Sequence, residues 1–261
     1  MKEVISIINE KGGVAKTTTA LNFAVVLRKK GFRVLLVDMD PQRSLSKGVA
    51  STDDITPPYT VADLIYDEDG TVDVRDAIIH TKSFDLIPGS IALAKFEKEM
   101  QDTPAKEFRL TNALKPLYDD YDFIIIDNQP GKSPLTISSL TASTDVIIPV
   151  MPDKDSMDQA LELAMTIRKV KKYTNPDLRV RGLLFTRINP QTVLIRVLKE
   201  LGTKYARELD TKVFDTNIRS TIAVGEANFS QEDLFSYDPN STAAQDYIAF
   251  ADEYLAETED K

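Results

Sequence analysis

A glycine-rich loop near the start of the chain sets the expected fold, and it reads Asn9-Glu10-Lys11-Gly12-Gly13-Val14-Ala15-Lys16-Thr17-Thr18-Thr19. The apolar run Val4–Ile8 precedes this loop, and the helical pattern Thr17–Lys30 follows it. Between a strand and a helix, glycines let consecutive backbone N–H groups point at phosphate oxygens, and the helix N-terminus adds partial positive charge. The sequence therefore predicts a phosphate-binding loop.

Two side chains of this loop have distinct expected roles. Lys16 is predicted to reach the β- and γ-phosphates of a nucleotide, and the Thr17 hydroxyl is predicted to bind Mg²⁺. Ala15 stands where the strict pattern G-x-x-x-x-G-K-[ST] has glycine. An alanine is tolerable there if the position has helical φ and ψ, since only positive φ demands glycine. The predicted nucleotide-binding set of the loop is Gly12, Gly13, Val14, Ala15, Lys16, Thr17 and Thr18.

Short β-branched runs alternate with helical patterns along the chain. The predicted strands are Val4–Ile8, Val34–Val37, Phe123–Ile126, Val146–Val150 and Val180–Phe185. The predicted helices are Thr17–Lys30, Val61–Tyr66, Pro134–Ala142, Asp155–Lys172, Val193–Glu208 and Thr242–Leu255. Near-continuous Val, Ile and Leu is what a parallel sheet covered on both faces needs. We therefore predict an α/β fold, a doubly wound and mostly parallel sheet with helices on both faces, in a single domain over residues 1–261.

Carboxylates follow two of the predicted strands. Asp38 and Asp40 end the second strand, where alternation along the chain aims both side chains the same way. Asp127 comes directly after Phe123–Ile126. Because ligands bind at the carboxyl ends of parallel strands, we expect these groups beside the phosphate-binding loop. Carboxylates in that place can order the waters of Mg²⁺ or orient an attacking water.

The loop resembles the K-G-G-V-x-K-T-T signature of the ParA/MinD superfamily of P-loop ATPases, known as the deviant Walker A type. Asp38-Met39-Asp40-Pro41-Gln42 is similar to the D-x-D-P-Q motif of that family, and Tyr237-Asp238-Pro239-Asn240-Ser241 to its Y-D-P-x-S ending. The resemblance covers nearly the whole chain. It departs after Asp127, where Asn128-Gln129-Pro130-Gly131 replaces T-P-P or C-P-P, and at Asn217-Ile218-Arg219, where the family often has I-P-R-N.

The resemblance implies a role for each matching residue. Lys11 would cross a dimer interface and contact the partner's nucleotide, as an arginine finger does. Asp40 would position the attacking water, and Ile218 and Arg219 would lie near the adenine base. The implied cofactors are ATP and Mg²⁺. The implied catalytic residues are Lys11, Lys16 and Asp40, and the implied metal site comprises Thr17, Asp38 and Asp127.

Charge is segregated along the chain, whose net charge is −9. Arg168–Arg219 holds 13 Lys or Arg against 5 Asp or Glu, whereas Ser220–Lys261 holds 10 acids and 1 base. A basic surface that meets DNA phosphates is one interpretation, and solvated helix faces are the other. The candidate DNA contacts are Arg187, Arg196, Lys199, Lys204, Arg207 and Arg219.

The resemblance implies a ParA-type (Soj-like) partition ATPase with weak intrinsic hydrolysis. ATP would join two subunits into a homodimer that binds DNA without sequence preference. A ParB-like centromere-binding or adaptor protein would stimulate hydrolysis. No helix-turn-helix domain is expected before the first strand. No run approaches the ~20 apolar residues of a membrane span, so we expect a cytoplasmic, nucleoid-associated protein with no membrane contact.

Four other functions stay open at this point. A ParA-like ATPase can position a protein cargo, and a nucleotide switch can bind ATP without hydrolysing it. A MinD-like protein would use a basic C-terminal helix on the membrane, but Phe250–Lys261 is acidic and would be repelled by anionic lipid. A metabolic P-loop ligase would act on a small molecule. Iron–sulfur relatives of the family are excluded, because the chain has no cysteine.

Overall fold

The computed structural model describes residues 3–49, 57–67, 69–99, 103–189 and 194–259, without the side chains of 49, 97–99, 194–199, 201 and 258–259. Its strands are β1 (Glu3–Ile7), β2 (Val34–Met39), β3 (Ile79–His80), β4 (Asp85–Ile87), β5 (Phe123–Asn128), β6 (Asp145–Val150) and β7 (Arg179–Phe185). They form one sheet in the order β3-β4-β2-β5-β1-β6-β7. All neighbours pair in parallel except β3, which is antiparallel to β4.

Helices cover both faces of this sheet. The α-helices of the described ranges are α1 (Lys16–Lys29), α2 (Ser44–Val49), α3 (Val61–Tyr66), α4 (Leu93–Glu99), α5 (Arg109–Leu114), α6 (Pro134–Ala142), α7 (Lys154–Tyr173), α8 (Leu194–Glu208), α9 (Ile222–Phe229), α10 (Leu234–Tyr237) and α11 (Thr242–Glu259). Short 3₁₀ turns occupy Val74–Ala77, Lys106–Phe108 and Lys115–Leu117. The predicted doubly wound, mostly parallel α/β fold is confirmed. Within the described ranges, no helix is long and apolar enough to cross a membrane.

All five predicted strands are present, and their ends shift by one or two residues. β3 and β4 were not predicted, because runs of two and three residues carry no readable alternation. The short helices α2, α4, α5, α9 and α10 were also missed. The start of α3 is capped, since Thr60 and Asp63 form a reciprocal capping box. Gly31, which follows the end of α1, has a φ of 95°, a conformation that favours glycine.

Hydrophobic packing fixes the helix that follows the phosphate-binding loop. α1 packs between the sheet and α11, and Phe23 lies fully buried between them. The Phe23 ring centroid lies 5.0 Å from that of Phe250 and 5.2 Å from that of Tyr254. Aromatic pairs at such separations contribute beyond their buried area. The start of α1 is therefore held in a fixed position relative to the strand ends.

The register of the central strands brings the predicted site together. Asp127 is the neighbour of Ile7 on one side and of Asp38 on the other. The carboxyl ends of β1, β2 and β5 therefore meet at the start of α1. On the far side, isolated bridges of Leu183 with Val213 and of Ile188 with Arg219 hold a loop segment along β7.

Gly182 of β7 allows this segment to approach the sheet. A Cβ atom at Gly182 would lie 2.7 Å and 2.8 Å from two ring carbons of Phe214. Phe214 is 1% exposed, and its ring packs edge-on against Phe250 at 5.0 Å. The ring has no free space to move into, so only glycine fits at position 182.

We expect Gly182→Ala to lower the free energy of unfolding by about 1–3 kcal/mol, because it overpacks a filled core. Gly225→Ala is the matched control. Position 225 lies inside α9, and an added Cβ would meet nothing within 4 Å. Its higher helix propensity should stabilise the protein by up to ~1 kcal/mol. Urea denaturation of both variants measures the two effects, and equal stability of both would contradict the packing argument.

Candidate active site

A cavity of about 690 Å³ opens where the strand ends meet α1. This volume falls within the range of small-molecule sites, about 300–1,000 Å³. The phosphate-binding loop forms its floor, and β5, the loop after β7 and α9 form its walls. Lining residues include Gly12, Gly13, Ala15, Lys16, Thr17, Thr18, Asp40, Asn128, Thr186, Arg187, Ile218, Arg219 and Tyr247. Most of the predicted nucleotide-binding residues therefore line one cavity.

The loop is preorganised around Lys16. The Lys16 ammonium donates a 2.8 Å hydrogen bond to the carbonyl oxygen of Lys11, so the side chain curls back over the loop. Lys16 is only 7% exposed, and burial lowers its pKa. The Asn9 side chain pins the loop to the sheet, because it accepts from the Lys11 N–H and donates to the Pro149 carbonyl. Val14 is fully buried, so it offers its backbone rather than its side chain.

Ala15 does not have helical geometry. Its φ is 66° and its ψ is 32°, which is the left-handed region where glycine is favoured. The condition under which alanine would replace glycine without cost is therefore not met. A left-handed conformation costs a non-glycine residue roughly 1–2 kcal/mol. The backbone is held on both sides of Ala15, because the Val14 carbonyl accepts from the Thr186 hydroxyl at 3.0 Å and the Ala15 carbonyl accepts from the Thr19 N–H at 2.9 Å.

Asp127 is fully buried at the end of β5. Neither of its carboxylate oxygens has a well-formed hydrogen bond within the described part of the chain, although the Thr17 hydroxyl lies close. Burial raises the pKa of Asp127 well above its ordinary value, and the charge of Asp38 raises it further. Two unpartnered oxygens beside a threonine hydroxyl fit a hydrated Mg²⁺, which prefers oxygen ligands and keeps several of its waters.

Within the described residues, no cluster of three or more His, Cys, Asp or Glu side chains could by itself hold a metal ion. A Mg²⁺ at this place would therefore complete its coordination shell with nucleotide oxygens and water. This is the usual arrangement for a magnesium ion that arrives with a phosphorylated substrate. Of the predicted metal site, Thr17 and Asp127 are compatible with that arrangement, whereas both Asp38 oxygens already accept hydrogen bonds within the chain. The three residues stay a prediction.

Asp38 and Asp40 differ in exposure and in their partners. Asp40 lines the cavity, whereas Asp38 is fully buried. One Asp38 oxygen accepts from the Ser46 N–H at 2.9 Å and from its hydroxyl at 2.6 Å, and the other accepts from the Asp40 N–H at 3.1 Å. The chain turns after β2, which ends the strand alternation. Asp38 thus anchors the loop that carries Asp40.

Lys11 lies at the rim of the loop and contacts its own chain. Its ammonium is 2.7 Å from Asp153 and 3.0 Å from Asp155, at the start of α7. The hydrogen bond with Asp153 is the main cause of a raised pKa for Lys11. Asp153 also accepts from the Ser156 N–H and so caps α7. Sequence reasoning missed these carboxylates, because 142 residues separate Lys11 from Asp153.

Other lining residues of the cavity either were predicted to have a different role or were not predicted from the sequence. Arg187, predicted to bind DNA, has a φ of 55° and donates to the Gly13 carbonyl at 3.3 Å. Arg219 binds Asp246 through three contacts of 2.7–3.1 Å. The Thr186 hydroxyl donates to the Val14 carbonyl. The hydroxyls of Tyr247 and Thr19 form a hydrogen bond of 3.2 Å. Ile218 and Arg219 also line the cavity, and their contact with the adenine base stays a prediction.

Comparison with known proteins agrees with this geometry. Residues 2–180 match the family described as the AAA domain. The sporulation initiation inhibitor protein Soj of Bacillus subtilis (strain 168) is 37% identical over 257 residues, which cover 98% of this chain and 99% of Soj. The chromosome partitioning protein ParA of Myxococcus xanthus (strain DK1622) is 31% identical over 254 residues, or 97% of this chain and 87% of ParA.

The chain belongs to the ParA/Soj family of AAA-domain ATPases. The family resemblance inferred from the sequence is therefore confirmed, and the chain is an ATPase. A similar solved structure is cobyrinic acid a,c-diamide synthase of Mycobacterium smegmatis with a bound ATP analogue and magnesium. Its TM-score is 0.82 at 31% identity, and the match covers 99% of this chain and 96% of that one.

The candidate DNA contacts of this ParA/Soj chain separate into two places. Arg187 and Arg219 line the nucleotide cavity. Lys204 and Arg207 are exposed on α8, and the side chains of Arg196 and Lys199 lie outside the described residues. Arg207 borders a groove between α7 and α8, which we call the basic groove because its four basic residues outnumber the acidic Glu208 and Asp210. Its other basic residues, missed in the candidate set, are Arg168, Lys171 and Lys172. Their spacing along one helix was the available signal.

Replacing Ala15 by glycine tests the strain in the loop. We expect Ala15→Gly to raise the free energy of unfolding by up to ~1 kcal/mol, because relief of the left-handed strain exceeds the entropy cost of glycine. Ala105→Gly is the control, since Ala105 has a φ of 55° outside the cavity. Both variants should be stabilised in urea titrations. A loss of stability confined to Ala15→Gly would show that the alanine methyl packs usefully.

Proposed function

We propose that this chain is an ATP-dependent DNA-partition ATPase, acting on plasmid or chromosomal DNA. The observation that carries the proposal is the second lysine, Lys11, at the rim of a phosphate-binding cavity in a chain similar over its whole length to Soj and ParA. These relatives favour partition over a membrane-bound or metabolic ATPase. Residues 1–261 would work as one ATPase unit.

ATP would lie with its phosphates on the loop and its base towards Ile218. The N–H groups of Gly12–Thr18 and the Lys16 ammonium would hold the phosphates, as they surround the cavity floor. Arg187 would flank the nucleotide from the far wall. Thr17 and Asp127 would hold Mg²⁺, which neutralises charge on the phosphates when bound.

Asp40 would orient the attacking water. It is the acidic side chain of the D-x-D-P-Q stretch that reaches the cavity, and Asp38 fixes its backbone through a 3.1 Å hydrogen bond. The Asp40 carboxylate also accepts from the Gln42 N–H at 2.8 Å, which restricts its orientation. A carboxylate can accept one proton of a water and leave the oxygen lone pair free for attack. Slow hydrolysis is therefore expected without a partner.

In the ATP state, two copies of the chain would form a homodimer with the nucleotides between them. Lys11 would then leave Asp153 and Asp155 and reach the phosphates of the partner's nucleotide. A second cation on the triphosphate stabilises charge that develops during phosphoryl transfer. Hydrolysis, stimulated by a ParB-like centromere-binding or adaptor protein, would remove this contact and release the dimer.

The dimer would bind DNA without sequence preference and so associate with the nucleoid. Arg168, Lys171, Lys172 and Arg207 line the basic groove, and Lys204 is exposed on the same helix as Arg207. Such clustered cations bind phosphates and release counterions, which makes binding steeply salt-dependent. Two copies would double the number of these contacts.

Lys11→Ala tests the dimer switch. With ATP and Mg²⁺, we expect the wild-type protein to bind non-specific duplex DNA. It should not bind DNA with ADP or without nucleotide. The Lys11→Ala variant should not bind DNA even with ATP and Mg²⁺. Hydrolysis should fall roughly 10²-fold or more, because a contact to developing charge is lost. Fluorescence anisotropy across a salt titration measures binding, and sedimentation measures the dimer.

The control for this test is Lys30→Ala, because Lys30 also pairs with an aspartate, Asp252, but far from the cavity. It should behave like the wild-type protein. ATP binding without DNA binding under every salt condition would defeat the partition proposal.

Lys171→Glu with Lys172→Glu tests the basic groove. We expect DNA affinity to fall and the slope of log affinity against log salt to flatten by about 2, because two phosphate contacts are lost. Lys82→Glu with Lys115→Glu makes the same charge change at two exposed lysines elsewhere and should change the salt slope much less. Equal effects of both pairs would indicate a response to net charge rather than to the groove.

A third pair, Arg196→Glu with Lys199→Glu, tests whether α8 contributes to the same surface.

A further inference from the structure

Asn128 occupies the position directly after Asp127, at the end of β5. It is 2% exposed, and it lines the cavity together with Lys16 and Asp40. Its register partner is Met39, one residue before Asp40. A buried polar side chain therefore borders the phosphate end of the cavity, next to the predicted water-positioning carboxylate. No role in catalysis follows for it from the motifs of the sequence.

The amide of Asn128 has a defined orientation. Its Nδ2 donates to the carbonyl oxygens of Ile7 and Ile126, both at 3.2 Å. Carbonyl oxygens only accept hydrogen bonds, so the nitrogen rather than the oxygen must lie on this side. These two carbonyls belong to neighbouring strands, β1 and β5, and hold the amide rigidly. The oxygen Oδ1 is consequently the polar atom that is left to face the cavity.

A carboxamide oxygen needs a hydrogen-bond donor. Phosphate oxygens are acceptors and would repel it, and the nearby Lys16 ammonium donates instead to the Lys11 carbonyl. Water is the donor that such a site supplies. We propose that Oδ1 of Asn128 accepts a hydrogen bond from an ordered water at the phosphate end of the cavity, either the attacking water or a water on Mg²⁺.

This role differs from that of Asp40. A neutral acceptor orients a water without adding negative charge beside the triphosphate, where Asp38, Asp40 and Asp127 already contribute three carboxylates. A fourth carboxylate at position 128 would repel the phosphates. The inference rests on the proposed ATPase site, but it needs neither DNA nor a dimer partner to hold.

Asn128→Leu is the direct test, because leucine has a similar size and no polar atom. We expect about a tenfold loss either in kcat or in the apparent Mg²⁺ affinity of the ADP complex. A tenfold loss is the size of effect that one lost hydrogen bond produces. If the water is the attacking one, kcat falls while the affinity for fluorescent ADP with Mg²⁺ stays unchanged. If the water is bound to Mg²⁺, the Mg²⁺ concentration for half-maximal ADP binding rises, and ADP binding in EDTA is unaffected.

Asn175→Leu is the matched control. The Asn175 amide also donates to carbonyl oxygens, those of Leu140, Thr141 and Ser143, but at the opposite end of β6. This variant should lower the melting temperature and leave kcat and the Mg²⁺ dependence unchanged. Loss of anchoring and loss of a water contact are thereby separated.

A second variant, Asn128→Thr, keeps a neutral oxygen that can accept a hydrogen bond and loses the anchoring NH₂ group. The proposal expects it to recover part of whichever quantity Asn128→Leu loses. The proposal is overturned if folded Asn128→Leu keeps both quantities within twofold of wild type, or if folded Asn128→Thr loses as much as Asn128→Leu. All these measurements omit DNA. They therefore stand even if partition itself fails, and a failed Asn128 test leaves nucleotide-dependent DNA binding intact.

Discussion

The buried carboxylate of Asp127 determines much of the arrangement around it. Its two oxygens have no well-formed partner among the described residues, and burial raises its pKa. Because the folded pKa lies above the unfolded one, ionisation of Asp127 costs the folded state stability as the pH rises. The buried Lys16 ammonium offsets part of that cost. A bound cation would offset more of it, so ligand binding and folding stability are coupled at this site.

Rigid surroundings make such an unsatisfied group sustainable. Asp127 ends the central strand β5, which is paired on both sides by β1 and β2. The Asn128 amide joins two of these strands, and Asp38 joins the end of β2 to Ser46. None of these elements can move towards the Asp127 carboxylate without breaking backbone hydrogen bonds. The carboxylate is therefore held in place for a ligand.

The sequence predicted the layers of the fold because β-branched runs and helical patterns are local signals. It could not predict the backbone of Ala15, whose φ of 66° is fixed by the turn between β1 and α1. It also could not predict that the Asp38 carboxylate accepts hydrogen bonds from the N–H and the hydroxyl of Ser46, because that contact depends on how the chain turns after β2. The orientation of Asn128 depends on carbonyls of two strands, one of them 121 residues away. Motifs therefore identified the residues of the site, and tertiary contacts assigned their directions.

In the basic segment Arg168–Arg219, too, the sequence did not give the positions of the side chains. Counting charges treats Arg187, Arg219 and Arg207 alike, although two of them line the nucleotide cavity and one borders the basic groove. Arg219 is neutralised by Asp246 through a bidentate contact, the strongest form of a charged hydrogen bond. Less positive charge is therefore available to a ligand than the net charge of the segment indicates, and the proposed DNA contacts that remain are on α7 and α8.

Lys11 is held weakly enough to move. Its side chain is 24% exposed, and those of its partners Asp153 and Asp155 are 36% and 69% exposed. Ion pairs open to solvent to this degree contribute about 0–1 kcal/mol each. A triphosphate offers more negative charge than either carboxylate, so it can attract the ammonium away in the proposed dimer. Asp153 would still cap α7 through the Ser156 N–H after this exchange. The helix start can thus release the lysine without losing its own structure.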